Sequence, residues 1–247
     1  MGGGFVAGVV NTLAGGGSII TLPLLIYAGL PPTMANATNR VAIVLQNIGA
    51  LAGFRRHGHR PGREAWVLLI PSMAGGVLGA FLAIDVDEAL LKKIIGLVLV
   101  LMLIPILRRS SRDRVQSETI EIKPWMWIAY FLIGVYGGFL QVGVGFLYLG
   151  LLSGIQRIDL VRANLLKVFF VLAYSLFALL LFAWKAKVEW VAGFALALGT
   201  TGGGWVGAKL AVERGERWVR IVLVVAVIVA SLQLTGLGKM LGRLFVK

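Results

Sequence analysis

The sequence has no cysteine, only two histidines and only 11 acidic residues among 247. Without cysteine there can be no disulfide, no thiolate nucleophile and no thiolate-ligated metal. The two histidines, His57 and His59, sit together in an HGH stretch among arginines. With no cysteine or acid beside them they make a poor metal site, and the stretch reads as a solvated loop. Charged residues make up 14% of the chain, against about 25% in an ordinary soluble domain. There is no HExxH, no GxSxG and no Walker-type loop. The GGGS at 15–18 lacks the P-loop lysine and lies in an apolar run. The chain therefore reads as no enzyme and as needing no cofactor. All the acids (Glu64, Asp85, Asp87, Glu88, Asp113, Glu118, Glu121, Asp159, Glu189, Glu213 and Glu216) lie in loops or at the ends of apolar stretches. That placement argues against a carboxylate proton relay inside a membrane.

What fills the chain instead is apolar. Hydrophobic residues reach 58%, and the mean hydropathy is +0.89. A soluble domain of this size could not cover so much apolar surface with polar groups. The composition points to an all-α integral membrane protein, held in place by membrane lipid. The net charge of +13 could suggest nucleic acid. The basic residues, however, cluster between apolar runs, as loops facing an anionic leaflet do, so no nucleic-acid partner is expected.

Eight apolar stretches are visible, at about 3–30, 34–54, 65–84, 89–107, 125–155, 160–184, 189–208 and 218–236. Pro31-Pro32 predicts a turn before the second. The chain opens Met1-Gly2-Gly3-Gly4 with no basic region, so no cleavable signal is expected. The connection at 55–64 carries Arg55, Arg56, Arg60 and Arg63, and the linker at 108–124 carries Arg108, Arg109, Arg112 and Arg114. The connection at 85–93 between them is mixed. This alternation predicts that 55–64 and 108–124 are cytoplasmic. Trp66, Trp125, Trp127, Trp184, Trp190 and Trp218 fall at stretch ends, as interfacial anchors do.

Two stretches are too long for one crossing. A bilayer core of about 30 Å takes about 20 helical residues, whereas 3–30 and 125–155 approach thirty. Each contains glycines that disfavour a helix interior: Gly15, Gly16 and Gly17 in the first, and Gly137, Gly138, Gly143 and Gly145 in the second. Each is predicted to be two half-helices joined at a break, as a re-entrant hairpin or a discontinuous span. The breaks head similar runs. Gly29 then Ala37-Thr38-Asn39-Arg40 follows the first; Gly154 then Arg162-Ala163-Asn164 and Lys167 follows the second. This self-similarity predicts two four-segment repeats, 1–107 and 125–247, joined by the cytoplasmic linker 108–124.

Broken backbone survives in a membrane only where it is buried in protein or lines a watery cavity. Half-helix N-termini turn positive dipole ends into such a cavity, which suits an anion. Close helix packing is the competing reading of the glycines. Arg40 and Lys167 lie within apolar stretches with no acid beside them, so the missing negative charge could come from a substrate; snorkelling is the alternative. Neutral amides and hydroxyls near the breaks could complete the shell. The predicted substrate-binding set is Gly15, Gly16, Gly17, Ser18, Asn39, Arg40, Gln141, Gly143, Gly145, Asn164 and Lys167.

The stretch 8–43 (GVVNTLAGGGSIITLPLLIYAGLPPTMANATNRVAI), with 137–155 (GGFLQVGVGFLYLGLLSGI) and 162–170 (RANLLKVFF), resembles the TauE/SafE sulfite-exporter family. The resemblance spans nearly the whole chain. It implies a multi-pass protein of the prokaryotic inner membrane that moves sulfite, sulfonates or related small anions. A passive anion channel would share these features, and a membrane-embedded enzyme or assembly subunit is the rival of another class. Self-association into a homo-oligomer is left open.

Overall fold

The computed structural model describes residues 2–14, 16–56, 58–107, 120, 122–185 and 187–214. These residues form nine α-helices and one π-helical turn: α1 (Gly2–Ala14), α2 (Ser18–Tyr27), α3 (Pro32–Arg56), α4 (Arg63–Ile84), α5 (Glu88–Leu107), α6 (Pro124–Phe139), α7 (Val144–Leu149), the π turn Gly150–Ile155, α8 (Leu160–Trp184) and α9 (Trp190–Arg214). The predicted stretch 218–236, nearly all of the 108–124 linker and Gly15 lie outside the described residues.

Local chemistry sets the boundaries. Pro32 opens α3, where the missing proline N–H is not needed. α2 closes with the N–H of Leu30 on the carbonyl of Leu25 (3.1 Å) and that of Gly29 on Ile26 (3.1 Å), and Gly29 takes φ +96°. This left-handed closure suits a residue without Cβ. Asp159 caps α8, its carboxylate accepting from the backbone N–H groups of Val161 (2.9 Å) and Arg162 (3.1 Å).

Both long stretches double back on themselves. Gly3 lies against the side chain of Leu24, and Gly17 lies against Asn11. In a continuous helix Gly3 and Leu24 would stand about 30 Å apart. In the second stretch the rings of Tyr130 and Tyr148 are 6.0 Å apart, and Gln156 Nε2 donates to the Tyr130 hydroxyl at 3.5 Å. α1–α2 and α6–α7 are therefore helical hairpins, not kinked through-helices. Arg63–Ile84 and Val161–Trp184 are each long and apolar enough to cross a bilayer.

The packing has a regular pattern. α1 lies on α9 as α6 lies on α4, α3 lies on α8, and α3 touches α9 as α8 touches α4. Exchanging the two halves of the chain leaves this pattern unchanged. Glycines make the two tightest crossings. A Cβ at Gly75, Gly79, Gly134 or Gly138 would strike the backbone carbonyl of Phe131, Val135, Ser72 or Gly76 across the α4–α6 contact. A Cβ at Gly8 or Gly203 would likewise strike the carbonyl of Thr200 or Phe5 across α1–α9. Spacing small residues four apart lets the backbones touch.

This corrects the reading of Gly137-Gly138 as part of the second break. Both lie inside α6, with Gly138 in the α4 crossing and Gly137 against Tyr174. The break comes later, at Leu140–Gly143, where Gln141 takes φ +65° and Gly143 φ +68°. Nor does Gly154 match Gly29 in conformation: Gly29 closes a helix with positive φ, while Gly154 lies within the π turn.

The outward faces are apolar. Trp66, Ile70, Leu78, Phe81 and Leu82 on α4, and Phe177, Leu180 and Trp184 on α8, are exposed. Patches this continuous call for an apolar medium around them.

Candidate functional site: a cavity between two helix breaks

The two breaks meet. A Cβ at Gly16 would stand 3.0 Å from the Phe146 ring of α7, so the first hairpin tip rests on the second. Beside this contact lies a cavity of about 620 Å³. Its wall takes Gly17, Ser18 and Thr21 from the first hairpin and Gln141, Gly143, Val144 and Gly145 from the second. Asn39, Ala42, Ile43, Gln46 and Asn47 of α3 and Asn164, Lys167, Val168 and Val171 of α8 add to it. Gly53, Phe54 and His59 extend the wall towards the end of the molecule that carries the arginine-rich 55–62 connection.

Among the described residues no carboxylate lines this cavity; Lys167 and His59 are its ionisable groups. Lys167 Nζ donates to Asn164 Oδ1 at 2.7 Å. Asn39 is 1% exposed; its Oδ1 accepts from the Thr21 hydroxyl at 2.6 Å, and its Nδ2 has no partner. At the first break, the backbone N–H of Gly17 donates to Asn11 Oδ1 at 3.1 Å.

Of the predicted set, Gly17, Ser18, Asn39, Gln141, Gly143, Gly145, Asn164 and Lys167 form part of one wall. Gly16 is buried behind it against Phe146, and Gly15 lies outside the described residues. Arg40 stands apart from the cavity. It is fully buried, its guanidinium donating to Gln141 Oε1 (2.9 Å) and to the carbonyls of Gly137 (3.4 Å) and Gly138. It also lies over the Phe182 ring, 5.2 Å from the centroid. The end of α6 leaves carbonyls without helical partners and carries the negative end of the helix dipole. Arg40 meets both, and Asn36 Nδ2 adds a bond to the Phe139 carbonyl at 2.7 Å. Full burial excludes snorkelling, and the two Nη groups are taken by protein acceptors while Nε has no partner.

Two members of this arrangement carry no signal in the sequence beyond being polar residues in apolar helices: Ser175, which bonds Gln141 at 2.9 Å, and Asn36. The pairing of Glu64 with Arg162 (2.5 Å) ties α4 to α8 at the same end as the 55–62 connection.

A helical bundle with apolar flanks, two helical hairpins and a cavity wall without carboxylates among the described residues has the construction of a membrane transporter. The match to the family sulfite exporter TauE/SafE runs over residues 1–234, and the chain belongs to that family. It is similar to a probable membrane transporter protein, ORF9, of a Sinorhizobium species: 28% identical over 233 residues, covering 93% of this chain and 88% of that one. A probable membrane transporter protein of Haemophilus influenzae is 27% identical, covering 90% of this chain and 88% of its own. The probable membrane transporter protein YfcA of Escherichia coli is 26% identical, covering 93% and 86%. No solved structure matches the chain. The protein is thus a membrane protein of a transporter family.

Proposed function

We propose that this protein carries a small oxyanion, sulfite or a sulfonate, across the prokaryotic inner membrane, through the cavity between its two hairpin tips. The observation that carries this reading is the charge of the wall: a lysine and several amides, with no carboxylate among the described lining residues. An anion in that place would neutralise Lys167 and accept from Asn164 and Gln141. The half-helix starts at Gly17–Ser18 and Gly143–Gly145 would add the positive ends of two dipoles.

The hairpins also favour an inverted relation between two repeats. A hairpin enters and leaves on one side, so three crossing helices remain per half, and an odd number turns the second copy over. With the basic connection at 55–62 in the cytoplasm, the cavity opens inward and the state is inward-facing. Rocking of one half against the other, along the glycine crossings, would expose the same residues outward. Counterflow of labelled sulfite in proteoliposomes tests the carrier reading. Saturable exchange that is lost in Lys167→Gln supports it; flux that rises without saturation favours a channel. A reporter fused after Lys247 tests the inversion: a cytoplasmic signal would overturn it.

A further inference from the structure

Asn11 of α1, Asn47 of α3 and Asn164 of α8 line the cavity, and their amides differ in which end is left over. A backbone N–H and an ammonium group can only donate, so each must face an amide oxygen. The Gly17 N–H donates to Asn11 Oδ1 at 3.1 Å, and Lys167 Nζ donates to Asn164 Oδ1 at 2.7 Å. Turning either amide over would set two donors face to face. The nitrogens are therefore the ends left for a ligand. Both residues are partly exposed, and neither nitrogen is sealed from the cavity. Asn47 is set the other way round: its nitrogen donates to the Ile43 carbonyl at 2.8 Å, which leaves its oxygen. Asn36 gives its nitrogen to the Phe139 carbonyl, and that of Asn39 is buried.

Gly17 stands at the N-cap of α2, where an N–H has no helical partner. A Cβ at Gly17 would stand 2.7 Å from that of Asn11, so only glycine lets the asparagine come this close. Asn11 thus takes up the N–H that a ligand would otherwise meet. An amide that accepts at its oxygen donates more strongly from its nitrogen. We infer that Asn11 is a ligand-binding residue of the first hairpin, passing the positive end of α2 to a bound anion through Nδ2, as Asn164 passes the charge of Lys167. The inference rests on the anion reading above and adds a donor from the first half of the chain to it.

The test reads the side-chain amides directly. The chain has five asparagines, Asn11, Asn36, Asn39, Asn47 and Asn164, so asparagine-selective ¹⁵N labelling of the purified full chain gives five pairs of side-chain amide signals. The probes are sulfite, thiosulfate, sulfoacetate and lactate, with binding measured by titration calorimetry. Asn11→Asp and Asn164→Asp assign two of the pairs by removing them. At saturation with the best probe, the Asn11 and Asn164 protons should move downfield and show the largest shifts of the five. An Asn11 pair that stays in place while the probe is bound overturns the proposal. Asn11→Asp gives a second reading, because it keeps an oxygen for the Gly17 N–H and puts an acceptor where the donor stood. Its thermal midpoint should stay near that of the parent, while the best probe should bind at least about tenfold more weakly, the scale of one hydrogen bond to a charged group. Unchanged affinity in Asn11→Asp would also overturn the proposal. A moving Asn164 pair beside a fixed Asn11 pair sinks this inference and leaves the anion reading standing. No binding of any probe by the parent chain sinks both.

Discussion

The two hairpin tips solve one problem in different ways. Each interrupts a helix inside an apolar surrounding and leaves backbone groups without helical partners. The first tip is built around Gly16 and Gly17, and among the described residues two neutral side chains reach it, Asn11 accepting from the Gly17 N–H and Thr21 donating to the Gly17 carbonyl. The second is held by a buried cation. Arg40 and Asn36 of α3 bond the last carbonyls of α6, Tyr136 donates its hydroxyl to the Val142 carbonyl, and Ser175 braces Gln141. Gln141 keeps a left-handed conformation that a non-glycine residue adopts at a cost of about 1–2 kcal/mol. A glycine run needs few partners because its backbone bends freely. A strained, non-glycine turn needs many. The first tip is therefore the adaptable one and the second the anchored one.

The largest effect should come from removing the anchor. Arg40→Gln leaves the α6 carbonyls short of donors, at about 1–3 kcal/mol for each unsatisfied group. It should lower stability by about 3 kcal/mol in a detergent-solubilised denaturation series. Arg40→Lys should fall between, because it keeps the charge and loses the planar fork. A parent-like curve for Arg40→Gln would contradict the anchoring role. Next in size are the crossings. Gly138→Ala and Gly8→Ala push a methyl into a carbonyl on the facing helix and should each cost about 1–3 kcal/mol. Similar values for the two would support equivalent crossings in the two halves, and a neutral Gly8→Ala would break the likeness. Smaller again is Asn11→Ala at the first tip. It removes one neutral hydrogen bond worth about 1 kcal/mol, so its melting curve should shift less than that of Arg40→Gln. An equal or greater shift would reverse the assignment of adaptable and anchored tips. The mildest change is a reporter. The chain has no cysteine, so Gln46→Cys on the cavity wall is a single labelling site. A membrane-impermeant thiol reagent should reach it from the cytoplasmic face, and labelling from the outer face alone would contradict the proposed inward-open state.

Much of this was legible in the sequence, and the misreadings have one physical source. The excess length of 3–30 and 125–155 announced the breaks, and Gly16-Gly17 placed the first. The second break, expected across Gly137-Gly138 as well as Gly143 and Gly145, is narrower than the glycines suggest because glycine has two uses in membranes: it frees the backbone, as at Gly143, and it lets helices touch. Gly137 and Gly138 do the second, and the actual turn falls on Gln141, a residue with no local signal for positive φ. Arg40 shows the same limit. That it lay among apolar residues with no acid nearby was readable. That its partners would be the backbone carbonyls of a helix about a hundred residues away was not, because carbonyls leave no mark in a sequence. Lys167, Asn39 and Asn164 could be picked out because amides and cations are rare in apolar stretches, and rarity survives without knowledge of the fold.

The central claim is that an oxyanion sits between the two tips. The most direct measurement is an anomalous-difference map of crystals of the protein soaked with selenite, the heavier homologue of sulfite. The account predicts one selenium peak inside the cavity, beside the Asn164–Lys167 pair. Selenium found only on the outer surface, with the cavity empty at saturating selenite, would contradict it.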